Sequence, residues 1–193
     1  MVNIEKITNF FFEIAGLRRL IRSHSQFIDT ANDNISDHIF RVALIGMVLA
    51  KMENCDENKV IKIALFHDLA EARTGDANYI QKQYSKRFEE EAIKDQTEHL
   101  PIKDEAVALF KEYQERKTKE SIVVKDADML DQMVLQQEYF YGDEKNRKIW
   151  HQNNEIKIKT ESGKKIAEEI KTSNPFEWIY QLIEGKTGEK IDR

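Results

Sequence analysis

The sequence predicts an all-α protein, and three observations carry that reading. Helix breakers are rare, with 7 Gly and 2 Pro in 193 residues. Most stretches repeat their apolar residues on the 3.6-residue period of a helix, and strand-like alternation occurs only briefly, from Glu155 to Lys159. With 1 Cys and 34% charged side chains, the same composition excludes collagen-like, disulfide-stapled and low-complexity chains. A single compact helical domain over residues 1–193 is expected, burying about 70% of the surface of the unfolded chain. A core of that size folds without a structural metal, so any metal should serve chemistry.

The run Phe10, Phe11, Phe12 is bracketed by Glu5, Lys6 and Glu13, so it reads as one or two core rings plus a partner-facing one, not as the apolar stretch of a signal peptide. Behind Asn34, a good N-cap, Ile35, Ile39, Val42, Gly46 and Leu49 form one stripe and predict a helix over 35–51. A second helix is expected from Glu57 to about Ala72 through Val60, Ala64, Leu65 and Leu69, with Gly75 suited to a left-handed stop. Residues 83–99 and 102–117 predict more exposed helices divided by Pro101. Thr118 fits the cap of a long helix carrying Val123, Val124, Ala127, Leu130, Val134 and Leu135. Residues 142–148 read as a loop or weak helix, 160–171 as a helix, and Pro175 as the first-turn residue of a last helix with Trp178 and Leu182.

Lys and Arg number 30 against 35 Asp and Glu, a formal charge of −5, and the two signs are interleaved. A nucleic-acid polymer is therefore a poor partner. The lone Cys55 and the lack of a long apolar run predict a cytoplasmic protein that does not enter a membrane.

Of 5 His, only His38 and His67 sit in mainly apolar helices. A histidine there is ordinarily a satisfied core residue, but the neighbours of these two alter that reading. Asp68 follows His67 and Glu71 lies one turn on, so all three project from one helical face. A buried carboxylate beside a buried imidazole is costly unless a cation or hydrogen bonds compensate. A third region, from Val123 to Asp131, places Asp128 on the inward face with Val124 and Leu135, whereas Asp126 and Asp131 fit ordinary solvated positions. Two imidazoles and two carboxylates from three helices form a mixed N/O donor set for one divalent ion, with Mn, Co, Mg, Fe, Ni and Zn all open. Glu89, Glu90 and Glu91 read as a solvated face, and His99 and His151 as residues in polar surroundings without a role.

Three blocks, Ser36-Asp37-His38-Ile39-Phe40-Arg41, Phe66-His67-Asp68-Leu69-Ala70-Glu71 running on to Thr74-Gly75-Asp76, and Lys125-Asp126-Ala127-Asp128-Met129-Leu130, resemble in order and spacing the HD-domain metal-dependent phosphohydrolases, in the branch of the 5′-deoxynucleotidases. Weaker likeness at Leu17–Ser23 and Thr160–Lys164 extends the resemblance to about residues 9–182. It implies an HD-domain helical bundle, metal ligands at His38, His67, Asp68 and Asp128, catalytic carboxylates at Glu71 and Asp76, and a homodimer. Arg22 matches the position that grips the substrate phosphate, and it reads equally as a surface arginine in a basic turn with Arg18 and Arg19. The implied activity is release of inorganic phosphate from nucleoside 5′-monophosphates, deoxyribonucleotides above all. Other readings are hydrolysis of a pyrophosphate or cyclic diester, or a non-catalytic nucleotide-binding module. The family continues after the arginine through a Gly and a sugar-crowding aromatic, but this chain has His24, Ser25 and Gln26, and Ile21 replaces the preceding Pro. Phe27 is the first candidate to supply the missing wall. No second His pair follows His67-Asp68, which favours one metal over two.

Overall fold

In the computed structural model, residues 3–28, 33–188 and 190 are described, so the ends of the expected 1–193 domain lie outside them. The α-helices are α1 (Ile4–Ile14), α2 (Ile35–Glu53), α3 (Glu57–Phe66), α4 (Glu71–Thr74), α5 (Gln81–Tyr84), α6 (Glu89–Thr97), α7 (Lys103–Glu115), α8 (Lys119–Tyr139), α9 (Glu144–Glu155), α10 (Glu161–Thr172) and α11 (Glu177–Thr187). Among the described residues there is no strand, only an isolated bridge between Ile21 and Asn34. The all-α expectation is met, and no described helix is long and apolar enough to cross a membrane.

The expected caps are present. The Asn34 side chain accepts from Asp37 N at 3.1 Å and Thr118 Oγ1 from Ser121 N at 3.2 Å, each satisfying a first-turn amide that the helix leaves free. The buried stripe of α2 runs through Ile35, Ile39, Val42, Gly46 and Leu49, as its periodicity predicts. Gly46 is required because a Cβ there would lie 2.9 Å from Val60 Cγ1, so α2 and α3 pack closer than any side chain allows.

Two apolar clusters meet in the middle. Val42, Leu49, Val60, Ile63, Val124, Ala127 and Met133 join α2, α3 and α8, while Leu17, Ile35, Ile39, Leu69, Ile93 and Phe110 gather the N-terminal segment, α6 and α7. Phe66 packs against both. His38, next to Ile39 of one cluster and one turn before Val42 of the other, is fully buried.

Several elements differ from expectation. The helix expected from Glu57 to Ala72 stops at Phe66, and turns carry the chain to α4 with Leu69 N on Phe66 O (3.3 Å) and Glu71 N on Asp68 O (3.0 Å). The cause is local: His67 Nδ1 bonds the Ala64 carbonyl at 2.6 Å and takes the acceptor that the Asp68 amide would use in a continuing helix. Gly75 then ends α4 at φ +74°, ψ 158°, a conformation open to glycine. The helix expected over 83–99 is replaced by α5, an extended stretch and α6, which lets Arg87 turn inward. The charged stretch after Gly142 leads into α9, nucleated by Asp143, whose side chain caps Asn146 N at 3.2 Å. Phe10 is half-buried, but Phe11 and Phe12 are exposed.

Candidate functional site

The Ile21–Asn34 bridge closes the base of the loop between α1 and α2, with Arg22 N donating to Asp33 O at 3.0 Å. This aims the Arg22 side chain inward, where it is 6% exposed and lies 3.4 Å from Asp68 Oδ2, so it is not a surface arginine. A cavity of about 900 Å³ opens here, lined among others by Arg22, Asp68, Glu71, Asp76 and Asp128.

Asp68 and Asp128 of this lining meet the buried imidazoles of His38 and His67. His38, His67 and Asp128 each offer a ligand atom within 4.8 Å of the others, and Asp68 Oδ2 lies 3.4 Å from His38 Nε2 and 3.1 Å from His67 Nε2. The tautomers follow from the outer partners. His67 Nδ1 donates to the Ala64 carbonyl, and His38 Nδ1 donates to Asp131 Oδ2 at 2.7 Å. Both Nε2 atoms are therefore free to act as lone-pair donors, and they stand 3.3 Å apart with carboxylate oxygens beside them. So many buried acceptors at close range repel one another unless a cation joins them, and the N/O set fits a divalent ion.

Within the cluster the imidazoles and carboxylates favour one another's charged forms. Burial would raise the Asp68 carboxyl, but the adjacent His67 and His38 hold it well below its usual range. Asp128, against the same burial, is lowered by Lys125, His38 and His67. For His38, burial and Arg22 press the imidazole down, while its hydrogen bonds to Asp131 and Asp68 and the charge of Asp128 prevail and raise it. Glu71 differs: burial, then the charges of Asp68 and Asp76, push it up to about 9 despite Arg22 and Arg87. Its Oε2 is buried without a hydrogen-bond partner among the described residues. Asp76 is anchored through Oδ2 alone, by Ser23 N at 2.7 Å and Ser23 Oγ at 2.9 Å, which leaves Oδ1 without a bond among the described residues.

Two sequence readings need correction. Asp126 and Asp131 are not solvated but 0% and 3% exposed. Asp131 holds His38 and receives Arg41 Nε at 2.5 Å, while Arg41 Nη2 reaches Asp33 at 2.8 Å. Asp126 accepts from Lys159 N, Thr160 N and Thr160 Oγ1 at 2.7–2.9 Å and fastens the chain entering α10, where strand-like alternation had stood. His151 is likewise buried, with Nε2 3.2 Å from Met133 O, whereas His99 is exposed.

Other participants carried no recognisable signal in the sequence. Tyr113 OH donates to Asp128 Oδ2 at 2.9 Å, and Lys125 Nζ lies 2.6 Å from the same oxygen. Arg87 Nη1 bridges Glu71 Oε1 at 3.2 Å and the Gly75 carbonyl at 2.7 Å. Ser25 does not line the cavity, but Phe27 does, with Trp150 of α9 packed against it at a centroid distance of 6.4 Å. Phe140 stacks behind Trp150 at 6.1 Å and steadies the indole.

Residues 14–171 match the HD domain family. The chain is 35% identical over 119 residues to the 5′-deoxynucleotidase HDDC2 of Dictyostelium discoideum, covering 55% of this chain and 63% of that protein. It is 34% identical over 112 residues to the 5′-deoxynucleotidase HDDC2 of Homo sapiens, covering 55% and 54%. The chain thus matches little more than half the length of these relatives. Among solved structures, a conserved hypothetical protein from Pyrococcus furiosus superposes with a TM-score of 0.70 at 27% identity, over 86% of this chain and 99% of that one. With the family matched over residues 14–171 and the adjacent His67 and Asp68 side chains 3.1 Å apart beside His38 and Asp128, the chain belongs to the HD domain family.

Proposed function

We propose that the chain is a single-unit metal-dependent phosphohydrolase that releases inorganic phosphate from nucleoside 5′-monophosphates, deoxyribonucleotides in particular. The observation that carries this reading is the meeting of two buried imidazole Nε2 atoms with Asp68 and Asp128, two carboxylates that line a cavity together with Arg22, Glu71 and Asp76. The names of the similar proteins support the substrate class.

A divalent ion held by His38, His67, Asp68 and Asp128 supplies Lewis acidity toward a phosphate oxygen and lowers the pKa of water. The remaining steps belong to side chains. Asp76, fixed by Ser23, presents Oδ1 to orient the attacking water. As water oxygen bonds to phosphorus and the bond to the 5′-oxygen breaks, Glu71 delivers its proton to that leaving oxygen, and the water proton passes to the Asp76 side. Arg22 offsets charge on the non-bridging oxygens with a guanidinium that stays protonated throughout. Phe27 and Trp150 form an aromatic wall against which the nucleoside lies.

A homodimer is part of the reading. Phe40, Leu44, Val48 and Met52 are 46–63% exposed and form one stripe along α2, an apolar face suited to a second copy. A cytoplasmic location is supported by the single free cysteine, Cys55, and is checked by cell fractionation. The test of activity is phosphate release from matched ribo- and deoxyribonucleoside 5′-monophosphates after chelation and reloading with Mn, Co, Mg, Ni or Zn. Release restored by at least one metal supports the proposal; no release with any of them refutes it.

A further inference from the structure

The cations lining the cavity fall into two groups. At the floor each is matched by a carboxylate: Arg22 with Asp68, Lys125 with Asp128, and Arg87 with Glu71 and Glu89. Lys82, Arg116 and Lys157 line the same cavity, are exposed, and form no ion pair among the described residues. They come from separate elements: α5, the end of α7, and the turn after α9. Although the chain carries a net charge of −5, these three cations on the cavity lining have no carboxylate partner among the described residues.

The backbone around them is specific. Arg116 caps α7 at φ +52°, a left-handed conformation more easily adopted by Gly or Asn. Its guanidinium lies over the Tyr113 ring, 5.8 Å from the centroid, and so above the residue that holds Asp128. Partial loss of solvent at the cavity wall and the like charges of Lys125, Lys82 and Arg116 push the Lys157 ammonium below its ordinary range, against the opposing charge of Asp128. An anion among these groups would relieve that repulsion.

We infer that Lys82, Arg116 and Lys157 form a second anion subsite at the mouth of the cavity, which takes a second phosphate carried on the nucleoside away from the scissile 5′-phosphate. The inference rests on the phosphohydrolase reading for which end of the ligand faces the floor. The chemical class it selects is the nucleoside bisphosphate. The cavity, at about 900 Å³, has room for such a ligand.

The test titrates a deoxynucleoside 3′,5′-bisphosphate and the matching 5′-monophosphate calorimetrically into the full chain after chelation, so that binding is read without turnover. Wild type should bind the bisphosphate about tenfold more tightly, the scale of one added charge-assisted contact. In Lys82→Gln/Arg116→Gln/Lys157→Gln that ratio should fall to near one, and Lys157→Gln alone should remove part of it. A ratio near one in wild type, or one that the triple variant leaves intact, overturns the subsite. A rim-dependent ratio in a protein that releases phosphate from no nucleotide would sustain the subsite while refuting the hydrolase reading.

Discussion

His38 and Asp131, 93 positions apart, share a buried hydrogen bond of 2.7 Å from Nδ1 to Oδ2, and this bond turns Nε2 toward Asp68, Asp128 and His67. Asp131 is itself pinned by Arg41, so its carboxylate stays ionised and only accepts. Outer partners of this kind fix the orientation and basicity of a ligating imidazole. Asp131→Asn presents an amide that can donate toward Nδ1 and turn the ring, and should weaken metal binding by roughly 10–100-fold, read by competition with a metal indicator. Asp68→Ala should remove metal and activity together. Normal metal content in both would refute the ligand set.

Glu71 tests the division between ligand and acid. Glu71→Gln keeps the shape and the contact with Arg87 but supplies no proton, so kcat should fall roughly 10²-fold or more while metal content holds. Because the protonated form acts, wild-type activity should decline as pH rises through a limb at or below about 9, since a bound dication favours the carboxylate. The limb should vanish from the residual rate of Glu71→Gln. Metal loss in that variant would make Glu71 a ligand.

The aromatic wall concerns sugar choice. Phe27→Ala or Trp150→Ala should narrow the ratio of kcat/KM for deoxyribo- over ribonucleotides by about tenfold, the scale for an added hydroxyl that is merely accommodated. Arg22→Ala should raise KM for both sugars alike, because a phosphate contact reads charge. An unchanged sugar ratio in both aromatic variants would remove them from specificity.

Stability should depend on Asp33. Burial alone would raise its carboxyl, but His24 and Arg41 lower it to about 2 from an ordinary value of 3.8. A carboxylate depressed in the folded state contributes stability that is present above the unfolded value and lost as pH falls from about 4 toward 2. The melting temperature of Asp33→Asn should therefore be lower than that of wild type at pH 6, with the gap closing below pH 3; a constant gap would contradict the assignment.

For the proposed dimer, Leu44→Glu places a charge in the exposed stripe of α2 without touching the cavity lining. A monomer by light scattering, with retained helical content, is the expected result. A wild-type monomer would refute the pairing.

The sequence alone determined what depends on near neighbours. The caps at Asn34 and Thr118 and the buried stripe of α2 follow from spacing, because capping and helical periodicity act over three or four residues. The resemblance over three blocks placed Asp76 and Asp128 beside the imidazoles, and the structure brings both to the same cavity. Tertiary structure decided the rest. No local rule separates Asp131, which holds His38, from a solvated aspartate, or shows that Asp126 fastens the start of α10. Trp150 meets Phe27, and Arg87 meets Glu71, only after distant segments pack, and the floor and rim cations look alike until their partners are placed.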